Sequence, residues 1–568
     1  MPTRYIFDTD EAVRHLSQFP TLALDIETTG VNVHIDRAAV VSIAGPDHVA
    51  AVLHYPRAED KIPQPVVDLL NRKELITHNG TTFDMLMLHH QGVRPRRHYD
   101  TLIGELCLRT EGGWKIKNDL ASVMKRRLGK SYKLDIDHET WKRPDLSKEQ
   151  PAYDAGDVEW LHDMRGVQES ETRRRGLNYA LIKEQELTSA VIEMQMVGMP
   201  IDFEQFTEIR AAALKEGEAA LANLRAEFGP TFNPNSSQQI IKALREHYGL
   251  RIPNARAETL GKHEHTHPAV GQILVAKRAL RRSGMYSDQW LADYAPLGRV
   301  YPRAKQIGAE TKRFAYSNPN MQQIPREWRR AFGGEPGKKV ITADWDQLEV
   351  AIAAHVAGDS DLRRALGSGD FHAFMAHSMG VLPEDTPPGT PEYSELRQRG
   401  KAGTFTYFFG GGANGIISAA AKWRGEITKA EAWGMIRGLN KRFPVSAAHI
   451  KRIRRRHDNP SPYIAKLPWG HERLMRVQSR SAAAMVNTPV QGTAAVVMKE
   501  ALLELHRRGL AKYIGMVYHD EVVAVSVPER EAADFKQELQ ESMEIAAALV
   551  VDSVPITSSA KVLDNWEY

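Results

Sequence analysis

Asp344 ends the apolar run Val340-Ile341-Thr342-Ala343, and Asp520 sits between the runs Met516-Val517-Tyr518 and Val522-Val523-Ala524-Val525. The second pair of runs reads as a β-hairpin with His519-Asp520-Glu521 at its tip. Two carboxylates held by rigid strands can share a pair of divalent cations, the arrangement that displaces pyrophosphate from a nucleotide. A second acidic set lies near the start. Thr21-Leu22-Ala23-Leu24-Asp25-Ile26-Glu27 alternates, so Leu22, Leu24 and Ile26 leave one strand face and Asp25 and Glu27 the other. A cation would remove the repulsion between them; an exposed edge strand explains Asp-x-Glu on its own equally simply. Leu75-Ile76-Thr77-His78-Asn79 reads as another strand, with an apolar helix opening at Asp84 and Thr81 or Thr82 as its cap. Tyr153 and Asp157 stand one helical turn apart on a common face. Arg397, Lys401 and Phe405 recur every four residues, which puts two cations and a ring on one helical stripe. That stripe suits a triphosphate with a base above it, Lys401 acting as a point charge and Arg397 as a fork.

The frame around these residues is long enough for several domains. The chain has 568 residues, 42% of them hydrophobic and 26% charged, the composition of a globular protein. Its net charge of +4 is too weak to name a partner, but the basic residues cluster. Lys451-Arg452-Ile453-Arg454-Arg455-Arg456-His457 is followed by Lys466, Arg473, Arg476 and Arg480, and an earlier helix carries Lys277, Arg278, Arg281 and Arg282. A solvated helix face and a phosphate-contacting surface both account for such runs. The single cysteine, Cys107, excludes an intrachain disulfide and is expected to fill a core gap. Met1 to His15 lacks an apolar segment of the secretory type, and no run approaches membrane-spanning length, so a cytoplasmic protein with no membrane partner is expected. A polar, basic break at Glu171–Gly176 closes a first domain, and helical patterns follow from Leu177 to Val197 and from Pro268 to Tyr286. Asn233-Pro234-Asn235-Ser236 reads as a turn capping a further helix.

Asp25 with Glu27, Asp84, and Tyr153 with Asp157 occur in the order found in the DEDDy proofreading exonucleases, and the N-terminal third resembles them. The resemblance implies a ribonuclease-H-like fold and two metal ions on Asp25, Glu27, Asp84 and Asp157. It also implies that Tyr153 orients the attacking water and that the last phosphodiester of a single-stranded DNA 3′ end is hydrolysed. The remaining motifs are Thr311-Lys312-Arg313-Phe314, Asn318-Pro319-Asn320, Asp344-Trp345-Asp346-Gln347-Leu348-Glu349, the Arg397–Gly410 stripe, Asn487-Thr488-Pro489-Val490-Gln491-Gly492, and His519-Asp520-Glu521. This ordered set resembles the family A DNA polymerases of the bacterial DNA polymerase I type, and the likeness covers Leu22 to Trp566.

That likeness implies a multidomain α/β and α+β architecture: an exonuclease domain over 1–175, a thumb over 176–300, palm over 301–357, fingers over 358–486 and a second palm segment over 487–568. It implies a primer 3′ end extended with dNTPs on a DNA template. Asp344, Asp520 and the Trp345 carbonyl would hold two Mg2+ ions, with two more in the exonuclease site and Mn2+ able to substitute. Gln347, Glu349, His372, Arg397, Lys401, Phe405 and Phe409 would meet the dNTP, Glu349 as the group that crowds out a ribose 2′-OH. Arg313, Asn320, Lys277, Arg281, Asn487, Gln491 and His519 would touch primer or template, with minor-groove acceptors read for pairing rather than sequence. The glycines Gly400 and Gly403 weaken the stripe helix, and Gly410-Gly411-Gly412 ends it.

Several residues depart from the family pattern: Phe409 and Phe405 stand where Tyr is usual or alternative, Lys312 for Gly, Asp346 for Ser and Ala351 for Arg. Phe409 leaves Glu349 without a hydroxyl partner, and Phe405 points to discrimination against dideoxynucleotides. The short Thr259–Lys277 region offers no loop for a thioredoxin-like clamp, and a monomer is expected. The exonuclease motifs begin at the N-terminus with no 5′-nuclease domain before them, the layout of a phage-type replicative enzyme. Two other readings are a single-subunit RNA polymerase, opposed by Glu349, Asp520-Glu521 and the nuclease motifs, and a non-catalytic DNA-binding factor, opposed by the intact carboxylates.

Overall fold

The computed structural model describes residues 5–57, 60–110, 116–130, 149–264, 266–421, 427–478 and 480–567. Within the N-terminal segment and the Thr259–Lys277 region, residues 1–4 and 265 lie outside that range.

The first third is a mixed six-stranded sheet in the order Tyr5–Ile6, Ala50–His54, Ala38–Ala44, Thr21–Thr28, Glu74–Thr77, Arg97–Asp100. Ala38–Ala44 runs antiparallel to both neighbours, and the other pairings are parallel. Strand alternation divides its two faces. Leu22, Leu24 and Ile26 join an apolar core with helices Thr9–Leu16, Gln64–Arg72 and Asp84–His89. Ala23 and Ile76 face the other way, toward Thr101–Leu108 and Gln150–Glu159, where Cys107 is buried as expected. Asp25 and Glu27 share that second face.

Helix Asn178–Val197 then leads into the rest of the chain and ends at Gly198. Asp202 caps the long helix Phe203–Phe228, which lies against Pro268–Met285, and Ser236 caps Ser237–Tyr248 at the far end of this arm. A four-stranded antiparallel sheet follows in the order Ile514–Tyr518, Glu521–Pro528, Lys338–Trp345, Ser558–Leu563. Helix Ala532–Val550 packs against this sheet and helix Ala482–Arg507 packs on that helix, while the edge strand Ser558–Leu563 stays partly exposed. Between its first and later strands the chain makes a helical subassembly from Leu348–Ala357 to Pro444–His457.

One buried polar cluster joins these parts. Glu184, on helix Asn178–Val197, accepts from His471 Nε2 (2.8 Å), from Gln306 Nε2 (2.7 Å) and from the Lys499 ammonium, all of them buried. Burial opposes a charged Glu184, but Lys499 first and then His471 overcome it and hold its pKa down at about 2. The depressed value means this contribution to stability is present above the ordinary carboxylate range and is lost only as pH falls toward about 2. Lys499→Met leaves a buried carboxylate unpaired and is expected to cost about 3–5 kcal/mol in a chemical-denaturation series at neutral pH. Lys499→Met with Glu184→Leu removes both charges and is expected to recover most of that loss.

Candidate active sites

The first acidic cluster forms where helix Gln150–Glu159 crosses the strand Thr21–Thr28. One carboxylate oxygen from each of Asp25, Glu27 and Asp157 lies within 4.8 Å of the others. Asp84 stands beside them, buried, its Oδ1 accepting from the Ile26 N–H at 3.3 Å. Burial, then the charges of Asp84, Asp157 and Glu27, pushes Asp25 well above the usual carboxylate range. Burial, then Asp157 and Asp84, pushes Glu27 up to about 8, and burial raises Asp84 to about 7. Four crowded, mutually repelling oxygen donors fit a hard divalent cation, whose charge would reverse each of these shifts. Tyr153, half-buried, lies among the same acids, which with burial hold its phenol neutral.

The expected threonine cap for Asp84 is not what the chain builds. Gly80–Thr82 is a single 3₁₀ turn, and Phe83 precedes helix Asp84–His89 with no side-chain cap. Thr81 instead donates to Asp100, whose carboxylate also accepts from the N–H groups of Asn79 (2.8 Å), Thr81 (3.0 Å) and Leu102 (2.9 Å). Asp100 thus fixes the turn that aims Asp84, a role in no local motif because it comes from a neighbouring strand. Asp154 was also missed. It is buried between Glu27 and Asp157 with both oxygens lacking a hydrogen-bond partner, and burial raises it to about 9. Its signal was present, an acid next to Tyr153, but it lies off the Tyr153–Asp157 stripe.

The second cluster is set by strand register. Asp344 pairs across the sheet with Glu521, which puts Asp520, at the hairpin turn, next to it. The surrounding protein and then the Asp520 carboxylate push Asp344 up to about 8. Trp345 is buried, its indole N–H bonded to the Met543 carbonyl at 3.0 Å, which holds the backbone one step beyond Asp344. Asp346 is tied instead to the hydroxyls of Thr557 (2.8 Å) and Ser559 (3.0 Å). Gln347, at φ 58°, turns the strand into helix Leu348–Ala357 and leaves its Oε1 buried without a partner. Glu349 is in the first turn of that helix and pairs with Arg313. Burial still raises its pKa. Glu521 turns away from solvent and accepts from the Trp566 indole at 3.3 Å.

Arg397, Lys401, Phe405 and Phe409 line the partly exposed side of helix Pro391–Phe408 and its end, while Gly400, Gly403 and Thr404 are buried. His372 comes from the neighbouring helix, its ring 6.2 Å from Phe405. Burial, then Lys401 and Arg397, lowers His372 to about 4, so at neutral pH its ring is uncharged. Arg397 Nε meets Asp370 at 2.7 Å. The two glycines have a role beyond low helix propensity. A Cβ on Gly400 would lie 2.4 Å from the Ala376 Cβ, so the glycine lets two helices touch. Gly410, at φ 75°, ends the helix in a left-handed step.

Asn487 and Gln491 share a face of helix Ala482–Arg507, and the Asn487 Oδ1 is buried without a partner. His519, at φ 57°, is exposed at the hairpin turn, with Tyr518 4.4 Å from its ring. Asn320 caps a short 3₁₀ turn. On the long arm, Lys277 donates to the Pro234 carbonyl (3.1 Å) and Arg281 to Gln323 (2.9 Å), so each is already engaged within the chain.

Lys312 has a distinct position. It is buried at φ 64°, a conformation suited to glycine, and its ammonium donates to the carbonyls of Leu106 (3.3 Å) and Arg109 (3.2 Å). These carbonyls end helix Thr101–Leu108, so a cation caps the negative end of a helix in the nuclease-like part. The residue beside Arg313 therefore straps the two parts together. Lys312→Met keeps the unfavourable φ and orphans both carbonyls, whereas Lys312→Gly relaxes the backbone and leaves room for water. The unfolding free energy from denaturant titration is expected to fall for both variants, by about 2 kcal/mol more for Met than for Gly.

Comparison with known proteins follows the same division. Residues 203–568 match the family model for "DNA polymerase family A", and residues 4–167 match the "3'-5' exonuclease" model. DNA polymerase I of Aquifex aeolicus (strain VF5) is 27% identical over 98% of this chain and 97% of its own length. DNA polymerase I of Chloroflexus aurantiacus is 28% identical over 98% of this chain but only 62% of itself, and the thermostable enzyme of Thermus aquaticus is 29% identical over 67% of this chain and 47% of itself. Among solved structures, the POL domain of Pol1 from M. smegmatis, in complex with DNA primer-template and dNTP, superposes with a TM-score of 0.80 at 20% identity, covering 99% of both chains. Among the described residues no helix is long and apolar enough to cross a membrane.

Proposed function

The chain belongs to the family A DNA polymerases and carries a 3′→5′ exonuclease domain, and on that premise we propose how its residues divide the two reactions. It is a DNA-directed DNA polymerase with 3′→5′ exonuclease activity, built of metal-dependent domains that act on DNA and dNTPs. The observation that carries the residue assignment is the presence of two carboxylate clusters on two different sheets, with Asp25 in one and Asp344 in the other raised in pKa by burial and by neighbouring acids.

In the polymerase reaction, Asp344 and Asp520, with the Trp345 carbonyl, would hold two Mg2+ ions at the primer end. When bound, such ions supply charge stabilisation for in-line displacement of pyrophosphate by the 3′ hydroxyl. Arg397 and Lys401 orient the triphosphate, and uncharged His372 donates one hydrogen bond at its edge. Phe405 and Phe409 pack on base and sugar. Arg397 must exchange Asp370 for phosphate, which the fork geometry of guanidinium favours. Arg313, Asn487, Gln491 and His519 hold primer and template; Asn320, Lys277 and Arg281 line the duplex path. In the nuclease reaction Asp25, Glu27, Asp84 and Asp157 would hold the ions, and Tyr153 orients water toward the last phosphodiester of a single strand. The segments 1–175, 176–300, 301–357, 358–486 and 487–568 then act as exonuclease, thumb, palm, fingers and palm, in a monomer.

Glu349 carries ribose discrimination in this reading. Phe409 offers it no hydroxyl, and the Arg313 pair holds it instead. Glu349→Ala is expected to raise rNTP use relative to dNTP on the order of 10²-fold in single-nucleotide incorporation, with dNTP incorporation little changed. A primed template with and without dNTPs reads both reactions at once: Mg2+-dependent extension with dNTPs and shortening from the 3′ end without them. A protein that shifts this DNA in a gel yet neither extends nor shortens it would overturn the proposal, and preference for rNTPs would favour an RNA polymerase.

A further inference from the structure

Lys312 holds a left-handed φ of 64°, a backbone state that residues with a Cβ disfavour and that surrounding contacts must impose. Those contacts converge on a loop, residues 306–314, that joins the antiparallel strands Arg303–Lys305 and Ala315–Ser317. The loop is closed on itself. The Gly308 and Ala309 N–H groups donate to the Arg313 carbonyl (3.0 and 3.2 Å), and the Lys312 N–H donates to the Ala309 carbonyl (2.9 Å). It is also pinned from outside. Gln306 donates to Glu184 on helix Asn178–Val197 at 2.7 Å. The Lys312 ammonium reaches the Leu106 and Arg109 carbonyls of the nuclease part. Glu310 pairs with Arg473, whose Nη1 donates to the Thr488 hydroxyl at 2.6 Å.

These ties lead to the residues assigned to the primer end. Arg313 follows Lys312 directly and pairs with Glu349. Thr488 lies between Asn487 and Gln491 along helix Ala482–Arg507. Leu474, beside Arg473, donates its N–H to the Thr110 carbonyl at 2.8 Å, a further bond to the same end of the nuclease part. The carbonyls of Leu106, Arg109 and Thr110 thus meet the stretches on either side of the primer-reading groups. A glycine at 312 would make the same turn without strain, but would not reach the nuclease part. The side chain is what connects the two.

We propose that Lys312 is a positioning residue for primer extension, using the end of the nuclease helix Thr101–Leu108 as a fixed post that holds Arg313 against the minor groove of the terminal base pair. Arg313 meets the primer; Lys312 touches neither DNA nor nucleotide and acts only through its neighbour. A paired terminus puts a minor-groove acceptor at a position shared by all correct pairs, whereas a mispaired one displaces it. An arginine held in place therefore favours extension of paired ends. One that wanders gives up that preference, because a small misplacement of an oriented group costs much of its effect. By this route the nuclease domain contributes to selectivity before it cleaves anything. The inference rests on the polymerase reading and on Arg313 meeting the primer end.

The test measures single-nucleotide incorporation on primer–templates with a paired and a mispaired 3′ end. It uses the full chain carrying Asp25→Ala and Glu27→Ala, so that the mispaired end persists. Lys312→Met is expected to lower kcat on the paired end about tenfold, with KM for the dNTP and the rate on the mispaired end within about twofold. Lys312→Gly lacks the same ammonium at a smaller cost to the fold and is expected to lose as much preference for the paired end. Arg313→Ala should lose more, on the order of 10²-fold, and adding Lys312→Met to it should cost nothing further, as for residues that act as one unit. Shortening of single strands by Lys312→Met in the otherwise unaltered chain should stay within about twofold. Equal losses on paired and mispaired ends would overturn the proposal. So would losses that rank with the stabilities of the Met and Gly variants, losses that add to those of Arg313→Ala, or an Arg313→Ala variant without effect. A fall in extension and shortening by the same factor would also overturn it, assigning Lys312 to the fold alone. Absence of incorporation by the unaltered protein on a paired end would instead strike at the polymerase reading, independently of the variants.

Discussion

Asp520→Ala is expected to reduce primer extension about 10⁴-fold or more while leaving the shortening of single strands within about twofold of the unaltered protein, because several kcal/mol of charge stabilisation are lost at one site only. Asp520 sits at a hairpin turn beside Asp344, and Asp344 is held in place by register with Glu521 rather than by Asp520 itself. Removal of the turn carboxylate therefore leaves the sheet intact while a ligand disappears. The separation of effects is physical as well as topological, since the two clusters stand on different sheets. Stopped-flow extension and a single-strand degradation assay on the same preparation measure both. Parallel loss of the two activities would contradict separate sites.

Asp25→Ala combined with Glu27→Ala is expected to give the converse, nuclease activity reduced by about 10⁴-fold or more with extension retained. It carries a second expectation. Burial and neighbouring acids raise Glu27 to about 8 from an ordinary 4.5. A raised carboxyl stays protonated in the fold while the unfolded chain ionises, so metal-free protein loses stability as pH rises from about 4.5 toward about 8. Asp25 shifts in the same direction. The double variant lacks both groups and is expected to melt higher than the unaltered protein near pH 8 in chelator, since acids crowded for function tend to cost stability. Mg2+ should raise the melting temperature of the unaltered protein, and more at pH 8 than at pH 6, because a proton and a cation compete for the same oxygens. The increment should shrink in the double variant to what the other cluster contributes. A melting temperature independent of pH and Mg2+ in the unaltered protein would argue against metal occupancy of these acids.

Much of the site was readable as local pattern. The alternation Leu22-x-Leu24-x-Ile26 placed Asp25 and Glu27 on the opposite strand face, and the four-residue spacing of Arg397, Lys401 and Phe405 placed them on one helical side, because side-chain direction follows backbone period. The His519–Glu521 turn was marked by the apolar runs around it. What local pattern could not supply was partnership between distant stretches. Thr81 looked like a helix cap until Asp100, from another strand, took its hydroxyl. Gly400 looked like a weak point in a helix until Ala376 came within contact of its bare Cα. Lys312 looked only like a departure from the family's glycine until its ammonium reached Leu106 and Arg109. Asp154 carried a visible acid, but only the packing of helix against sheet made it a buried neighbour of Glu27.

The amino-acid sequence by itself determined the element types, the order of the motifs and the family to which they belong, since these depend on period, turn chemistry and residue identity along the chain. Tertiary structure alone decided which acids crowd together, how far their pKa values move, and what Glu349, Thr81 and Lys312 touch. Those are properties of distances between residues remote in sequence, and burial and Coulomb energy depend on such distances rather than on spacing along the backbone.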